Sequence, residues 1–397
     1  MPHAVRLRGT IPDDDPVPVR DRCAALVRLR PAAAEPGVSV ADEPSAEVSV
    51  GGRPARAARA LAGIERPVAV RAGVVAALFL FVLIGLPGLV STFWLQIGTS
   101  VAIYSIVTLS LAVLVGRVGM VSLGQVALLA VGGWVALRLG FGTGLPFPLL
   151  LLATGLITGA VGVLIGLPAL RLSGLYLALI TLMAAAAITV VLQVTNFPNG
   201  GSGFLGYSGA RAGTVSSALH RPDLLASTSA FFRTVVIVAA LMFAVAAVHV
   251  RSRAGRAWAA IRQSQPSAIA AGVNVTLYKM WAFALASFMT GVAGGLLATS
   301  TGGLSTYAFP AQDSITVLAV VLMGGVYSFW GPVVAAVLLK LLPEILKNWG
   351  LPPDLLTILF GLGVLQVMLT APAGLAVQVP KDLANLARLV RRRVAPG

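Results

Sequence analysis

RSRAGRAWAAIRQSQPSAIAAGVNVTLYK, Arg251 to Lys279, is a polar, basic stretch set between an apolar run ending at Val250 and another beginning near Met280. Arg251, Arg253, Arg256, Arg262 and Lys279 have no acidic residue among them. A charge at the bilayer centre costs roughly 2.5 to 3.5 kcal/mol on insertion scales, so the stretch reads as a loop that leaves the membrane between two spans. Its excess of arginine and lysine assigns it to the cytoplasmic side. Within it, Ala254 to Ile261 are helix formers apart from Gly255. Pro266 suits a first helical turn, and Gly272 suits the residue just past a helix end. The pattern predicts a short helix over Ser267 to Ala271, outside the membrane. Taken alone, the loop fits an orientation signal with incidental helicity, or a docking helix through which a cytosolic motor moves the spans.

The rest of the composition points the same way. Of 397 residues, 57% are hydrophobic and only 11% are charged, against about 25% charged in a soluble domain. The single cysteine, Cys23, excludes an internal disulfide framework, and three scattered histidines (His3, His220, His249) offer no metal centre. The formal charge of +15 has a topological origin. Residues 1–67 hold ten arginines against nine acids, whereas the remainder holds nineteen basic residues and five acids. Ten of those nineteen lie in the central loop or in the tail after Pro380. Cations held on one membrane face, near anionic lipid, explain this better than nucleic-acid binding, since no aromatic residue interleaves the charges of the tail.

Spans of roughly 20 apolar residues then organise the chain into an all-α integral membrane protein, a polytopic bundle of about ten transmembrane helices. Residues 1–67, rich in Pro, Ala, Arg and acids, read as a disordered cytosolic extension. The membrane domain occupies 68–372, with the loop 251–279 at its centre, and 373–397 form a basic cytoplasmic tail. Expected spans start near Val74, Ile97, Gln125, Leu149, Leu175, Phe231, Trp281, Ile315, Gly331 and Leu355. Ten spans from a cytosolic start put the central loop and both termini in the cytoplasm, in agreement with the charge distribution. G-x-x-x-G pairs at Gly155/Gly159, Gly162/Gly166 and Gly291/Gly295 predict close helix packing. Ser105-Ile106 precedes Gly116 by the interval that separates Ser314-Ile315 from Gly325, a hint of internal duplication.

Active-site chemistry is missing. No carboxylate occurs between residues 68 and 222, and the later spans offer little beyond Glu344, four residues after Lys340. No H-E-x-x-H, G-x-S-x-G or G-x-x-x-x-G-K-[ST] pattern is present, so any ATP used must bind another chain. Ion-coupled carriers keep ionisable groups at mid-membrane, and this chain nearly lacks them. The segment GRVGMVSLGQ, Gly116 to Gln125, breaks two apolar runs with three glycines, a serine and a glutamine. It reads equally as irregular backbone lining a cavity, where free N–H groups meet a zwitterion or amide, and as a plain cytoplasmic turn anchored by Arg117. The residues placed on a substrate pathway are Gly116, Gly119, Ser122, Gly124, Gln125, Tyr176, Thr181, Asn199, Gly200 and Gly201.

Five segments then resemble one family. GRVGMVSLGQVALLAVGGW is similar to G-x-x-G-x-x-S-L-G-H/Q-x-A-F-x-x-x-G-A-Y, and GLPALRLSGLYLALITL (from Gly166) to GLPALRLRGLYLAIVTL. NGGSGFLG, from Asn199, resembles T-G-G-x-x-G-L. GRAWAAIRQSQPSAIAAGVNVTLYK and the run after it resemble GRALRAIRENExAAEALGINVxRYK and its continuation. SITVLAVVLMGGVYSFWGPVVAA, from Ser314, resembles SIxxLxMVVIGGxGSLWGPVxGA. Covering about 70–372 in order and spacing, they resemble the permease subunits (M-type) of branched-chain amino acid ABC importers, with urea permeases as close relatives.

The resemblance implies a homologous second permease subunit, two cytosolic ABC ATPases that bind the ATP, and an extracytoplasmic solute-binding protein; no cofactor or metal is held by this chain itself. It implies coupling to an ATPase through Gly255, Arg256, Ile261, Arg262, Ala268, Ala271, Gly272 and Asn274. Where the family pattern has acids ahead of the small-residue helix, this chain has Gln263, Gln265 and Ser267, so the dock is expected to rest on shape and apolar burial. A urea or short-amide permease is the near alternative, and a self-contained carrier or channel the distant one.

Overall fold

The computed structural model describes residues 73–169, 174–194, 225–305, 308–350, 353–370 and 374–378, with residues 222 and 382 in addition. The expected extension 1–67, nearly all of the loop 195–224 and most of the tail lie outside the described residues. All regular secondary structure among the described residues is helical, and each of the ten expected apolar runs forms a helix. Five of these, Thr92–Val118, Phe147–Leu167, Leu175–Val194, Thr228–Arg251 and Val275–Thr301, are long and apolar enough to cross a membrane.

In chain order, α1 is Gly73–Leu89 and α2 is Thr92–Val118. They are followed by α3 (Gln125–Thr143), α4 (Phe147–Ala169), α5 (Leu175–Val194) and α6 (Thr228–Arg251). The central loop contributes α7 (Arg253–Gln263) and α8 (Gln265–Ala270). Beyond it come α9 (Val275–Thr301), α10 (Asp313–Gly324), α11 (331–348) and α12 (Pro353–Thr370).

Helix α9 is the axis of the bundle. It packs along α4 and α3 and touches α2, which in turn packs against α6 and α11. The cause is visible in its glycines. A Cβ on Gly294 would overlap the Leu129 carbonyl and come 2.7 Å from the Gly133 nitrogen, and one on Gly132 would come 2.6 Å from the Gly291 carbonyl. Backbones of α3 and α9 therefore touch directly, as small residues permit in membranes, where dispersion and close approach replace the hydrophobic effect. The G-x-x-x-G pairs of α4 meet the same helix, with Gly155 against Phe288, Gly162 against Ser287 and Gly166 against Phe283. By contrast α1, α5 and α12 turn leucines, valines and isoleucines outward, among them Ile84, Val190 and Ile358, each more than half exposed. That is a surface suited to lipid.

Several boundaries differ from expectation, the loop helix among them, which spans Gln265–Ala270 rather than Ser267 to Ala271. Helix α2 starts at Thr92 rather than Ile97, because nothing from Thr92 to Gln96 breaks a helix. It also runs past Gly116 to Val118, widening into a π turn over Val113–Val118. Helix α9 starts at Val275, six residues early, because the Asn274 side chain accepts a 3.1 Å hydrogen bond from Leu277 N and caps it. Lys279, read as a loop residue, thus stands on α9 and is 3% exposed. Lys340 does not pair with Glu344; its ammonium lies 3.9 Å from the centre of the Tyr104 ring.

Candidate functional site

The segment between α2 and α3 is irregular and buried. Gly119 ends the π turn at φ +81°, a left-handed conformation open to glycine, and Ser122, Leu123, Gly124 and Gln125 are all buried. A turn exposed to water leaves its backbone groups to the solvent. Here neighbouring helices satisfy them: Thr181 of α5 accepts from Leu123 N at 2.9 Å, and Ser314 of α10 accepts from Val126 N at 3.3 Å. The geometry is that of broken backbone enclosed by protein.

Gln125, at the first turn of α3, reaches into the core. Its Oε1 accepts from Thr290 Oγ1 of α9 at 2.7 Å and from Ser110 Oγ of α2 at 3.2 Å, and the two hydroxyls lie 2.8 Å apart. All three residues are 1% exposed or less. The amide nitrogen of Gln125 is buried without a hydrogen-bond partner. Whichever way round the amide stands, only one of its two polar atoms faces the hydroxyls, so the other is left over. An unsatisfied buried amide group costs about 1–3 kcal/mol, which makes this cluster a place where polarity is kept at the expense of stability.

A second break meets the first. Helix α10 ends at Gly324, Gly325 follows at φ +106°, and α11 starts at Gly331. Gly116 lies against the Val326 carbonyl so closely that a Cβ would overlap it, and Thr108 donates to the Pro332 carbonyl at 2.8 Å. The hinted duplication thus corresponds to two helix breaks in contact. The left-handed residue of the first is Gly119, however, and not the matched Gly116.

The central loop closes over both breaks. Ser252 caps α7 and Ser264 caps α8, each through its hydroxyl. Gly272, at φ +78°, ends α8 while Val273 N donates back to the Ala268 carbonyl at 2.9 Å. The buried face of α7 carries Ala257, Trp258 and Ile261, and the Trp258 indole donates to the Tyr278 carbonyl at 2.9 Å. Arg262 donates to the Gly116 carbonyl at 2.7 Å while its guanidinium lies 4.5 Å from the centre of the Tyr327 ring. Arg117 donates to the Tyr327 carbonyl at 3.1 Å and stands over Phe329. One arginine of the loop therefore grips the start of the first break and one aromatic of the second.

The candidates from the sequence separate accordingly. Gly116, Gly119, Ser122, Gly124, Gln125 and Thr181 come together in and around the first break. Tyr176 does not; it is 70% exposed on the outer side of α5. Asn199, Gly200 and Gly201 lie outside the described residues. In the coupling segment, Ile261 and Ala268 turn inward, whereas Arg256, Ala271, Gly272 and Asn274 are exposed and Gly255 sits tightly against the Val250 carbonyl. Ser110 and Thr290 were missed. Each is a small hydroxyl in a long apolar helix, and only the helix breaks hint that such residues face a shared interior.

Comparison with known proteins adds the lineage. Residues 93–368 match the family described as branched-chain amino acid transport system / permease component. The high-affinity branched-chain amino acid transport system permease protein LivM of Salmonella typhimurium is 32% identical over 314 residues, covering 75% of this chain and 73% of its own. LivM of Escherichia coli K12 is 32% identical over 307 residues, covering 73% and 71%. No solved structure matches. With its helical breaks and multi-pass helices, the chain belongs to the permease-component family of branched-chain amino acid transport systems.

Proposed function

We propose that the chain is the permease subunit of an ATP-driven importer for leucine, isoleucine and valine, working by alternating access. The observation that carries this reading is the bond from Arg262 of the central loop to the Gly116 carbonyl. It ties the segment a motor would push to the break that holds the Gln125 cluster. Separate ATPase subunits supply nucleotide hydrolysis, a homologous second permease subunit completes the pathway, and a solute-binding protein delivers substrate outside. The loop 251–279 and both termini face the cytoplasm in this reading, as the arginine and lysine excess favours.

The two named relatives carry branched-chain amino acid transport in their names, which supports that substrate class over urea. The site offers hydroxyl and amide groups on Ser110, Gln125 and Thr290 for the polar end of an amino acid. Apolar walls at Leu128, Ile165, Ile188 and Phe283 line a small cavity beside Ser122 and Thr181. Uptake of labelled leucine by cells carrying the whole system, with and without the ATPase subunits, tests the reading. Uptake that survives loss of the ATPases refutes it.

A further inference from the structure

A second cavity, of about 90 Å³, lies between the central loop and the membrane helices, lined by Val118, Gly119, Met120, Gly174, Leu177, Ile261, Arg262, Gln265 and Lys279. Two of these residues are cations, and Lys279 is 97% buried by its 3% exposure. The elements that line the cavity, within 92–194 and 253–301, contain no Asp or Glu at all. A lysine whose side chain is this buried, lining a cavity whose surrounding elements carry no carboxylate, favours an anion in that cavity. Arg262 spends one donor on the Gly116 carbonyl and has further N–H groups to offer. Gln265, also in the lining, is a neutral amide, so the counter-charge this pocket lacks among the described residues is one that a single carboxylate there would supply.

We propose that this cavity binds a phosphate group carried by an anionic lipid, with Lys279 and Arg262 as its cationic contacts and the Gln265 amide as a neutral donor. The cavity sits where helices begin and end: the last turn of α2, the first turns of α5 and α9, and the α7–α8 junction. That is the level of the headgroups, where basic pockets between membrane helices take lipid phosphates. Leu175 and Tyr176, the two residues after Gly174, are 73% and 70% exposed and offer apolar surface to an acyl chain beside the pocket. The bound lipid would brace the coupling helices against the first break, independently of which solute the permease carries.

The test uses the purified full-length chain in neutral detergent, with thermal unfolding and native mass spectrometry as readouts. Phosphatidylglycerol, phosphatidylcholine, sodium phosphate and sodium chloride at matched ionic strength are added in turn. The expected result is that phosphatidylglycerol raises the melting temperature and stays bound, while phosphatidylcholine does neither. In Gln265→Glu the built-in carboxylate takes the place of the ligand, and affinity for phosphatidylglycerol falls at least tenfold although the fold is kept. Lys279→Met loses the affinity as well. Equal protection by sodium phosphate would support the phosphate site and overturn the lipid as its source. Unchanged phosphatidylglycerol binding in both variants would overturn the site itself, as would protection that appears only when the partner ATPase is added.

Discussion

Gln125 places an amide that finds no full set of partners in the middle of an apolar bundle. Gln125→Leu removes that amide with little change in volume, and Ser110 and Thr290 still satisfy each other at 2.8 Å. Because an unsatisfied buried group is eliminated, the melting temperature should hold or rise, while leucine uptake falls at least tenfold. A lower melting temperature with normal uptake would make the cluster structural. Arg262 predicts a different failure. Arg262→Met keeps the stem but removes the grip on Gly116 and the stacking on Tyr327, so ATP hydrolysis by the assembled complex should continue with transport lost. Measuring ATP consumed per leucine imported reads this uncoupling directly. Arg262→Lys should rescue only part of it, since an ammonium lacks the planar fork that bonds and stacks at once.

At the scale of helices, contacts between backbones decide what can be changed. Gly294→Val on α9 must push α3 away, since even its Cβ overlaps Leu129. Overpacking of this kind costs about 1–3 kcal/mol or more, so folded yield and melting temperature should drop. Gly361→Val on α12 is the control: nothing lies within 4 Å of its Cβ, and the variant should behave as wild type. Gly272→Pro imposes φ near −65° where the chain needs +78°. It should unseat the α8–α9 connection and abolish uptake without preventing membrane insertion. Ile261→Asp is no clean probe of an ATPase contact, because Ile261 is 3% exposed against the membrane helices and its loss would detach α7 itself.

These particulars show how far the sequence could be read. Apolar runs identify each described membrane helix, because in a membrane length and hydrophobicity leave the backbone few choices. Gly116 to Gln125 stood out because three glycines interrupt two spans. Ser110 and Thr290 did not, since they are 180 residues apart and pair only after α2 and α9 have packed. Lys279 was misplaced for a similar reason: its charge argued for the loop, and the Asn274 cap overruled it.

For the molecule as a whole, orientation is the property most open to experiment. With Cys23→Ser and Ala271→Cys, a membrane-impermeant maleimide should label inside-out vesicles and spare intact cells. Labelling of intact cells would put the central loop outside and end the motor reading. One further property follows from how few charges the inner helices carry: none on α2 before Arg117, Arg138 alone on α3, none on α9 after Lys279, and none on α4 or α5. An electric field does work only on charge it can displace, about 2.3 kcal/mol per unit charge moved through 100 mV. Rearrangement of these helices around a neutral zwitterion would displace almost none. Dissipating the membrane voltage while cellular ATP is maintained should therefore leave the rate of import where it was.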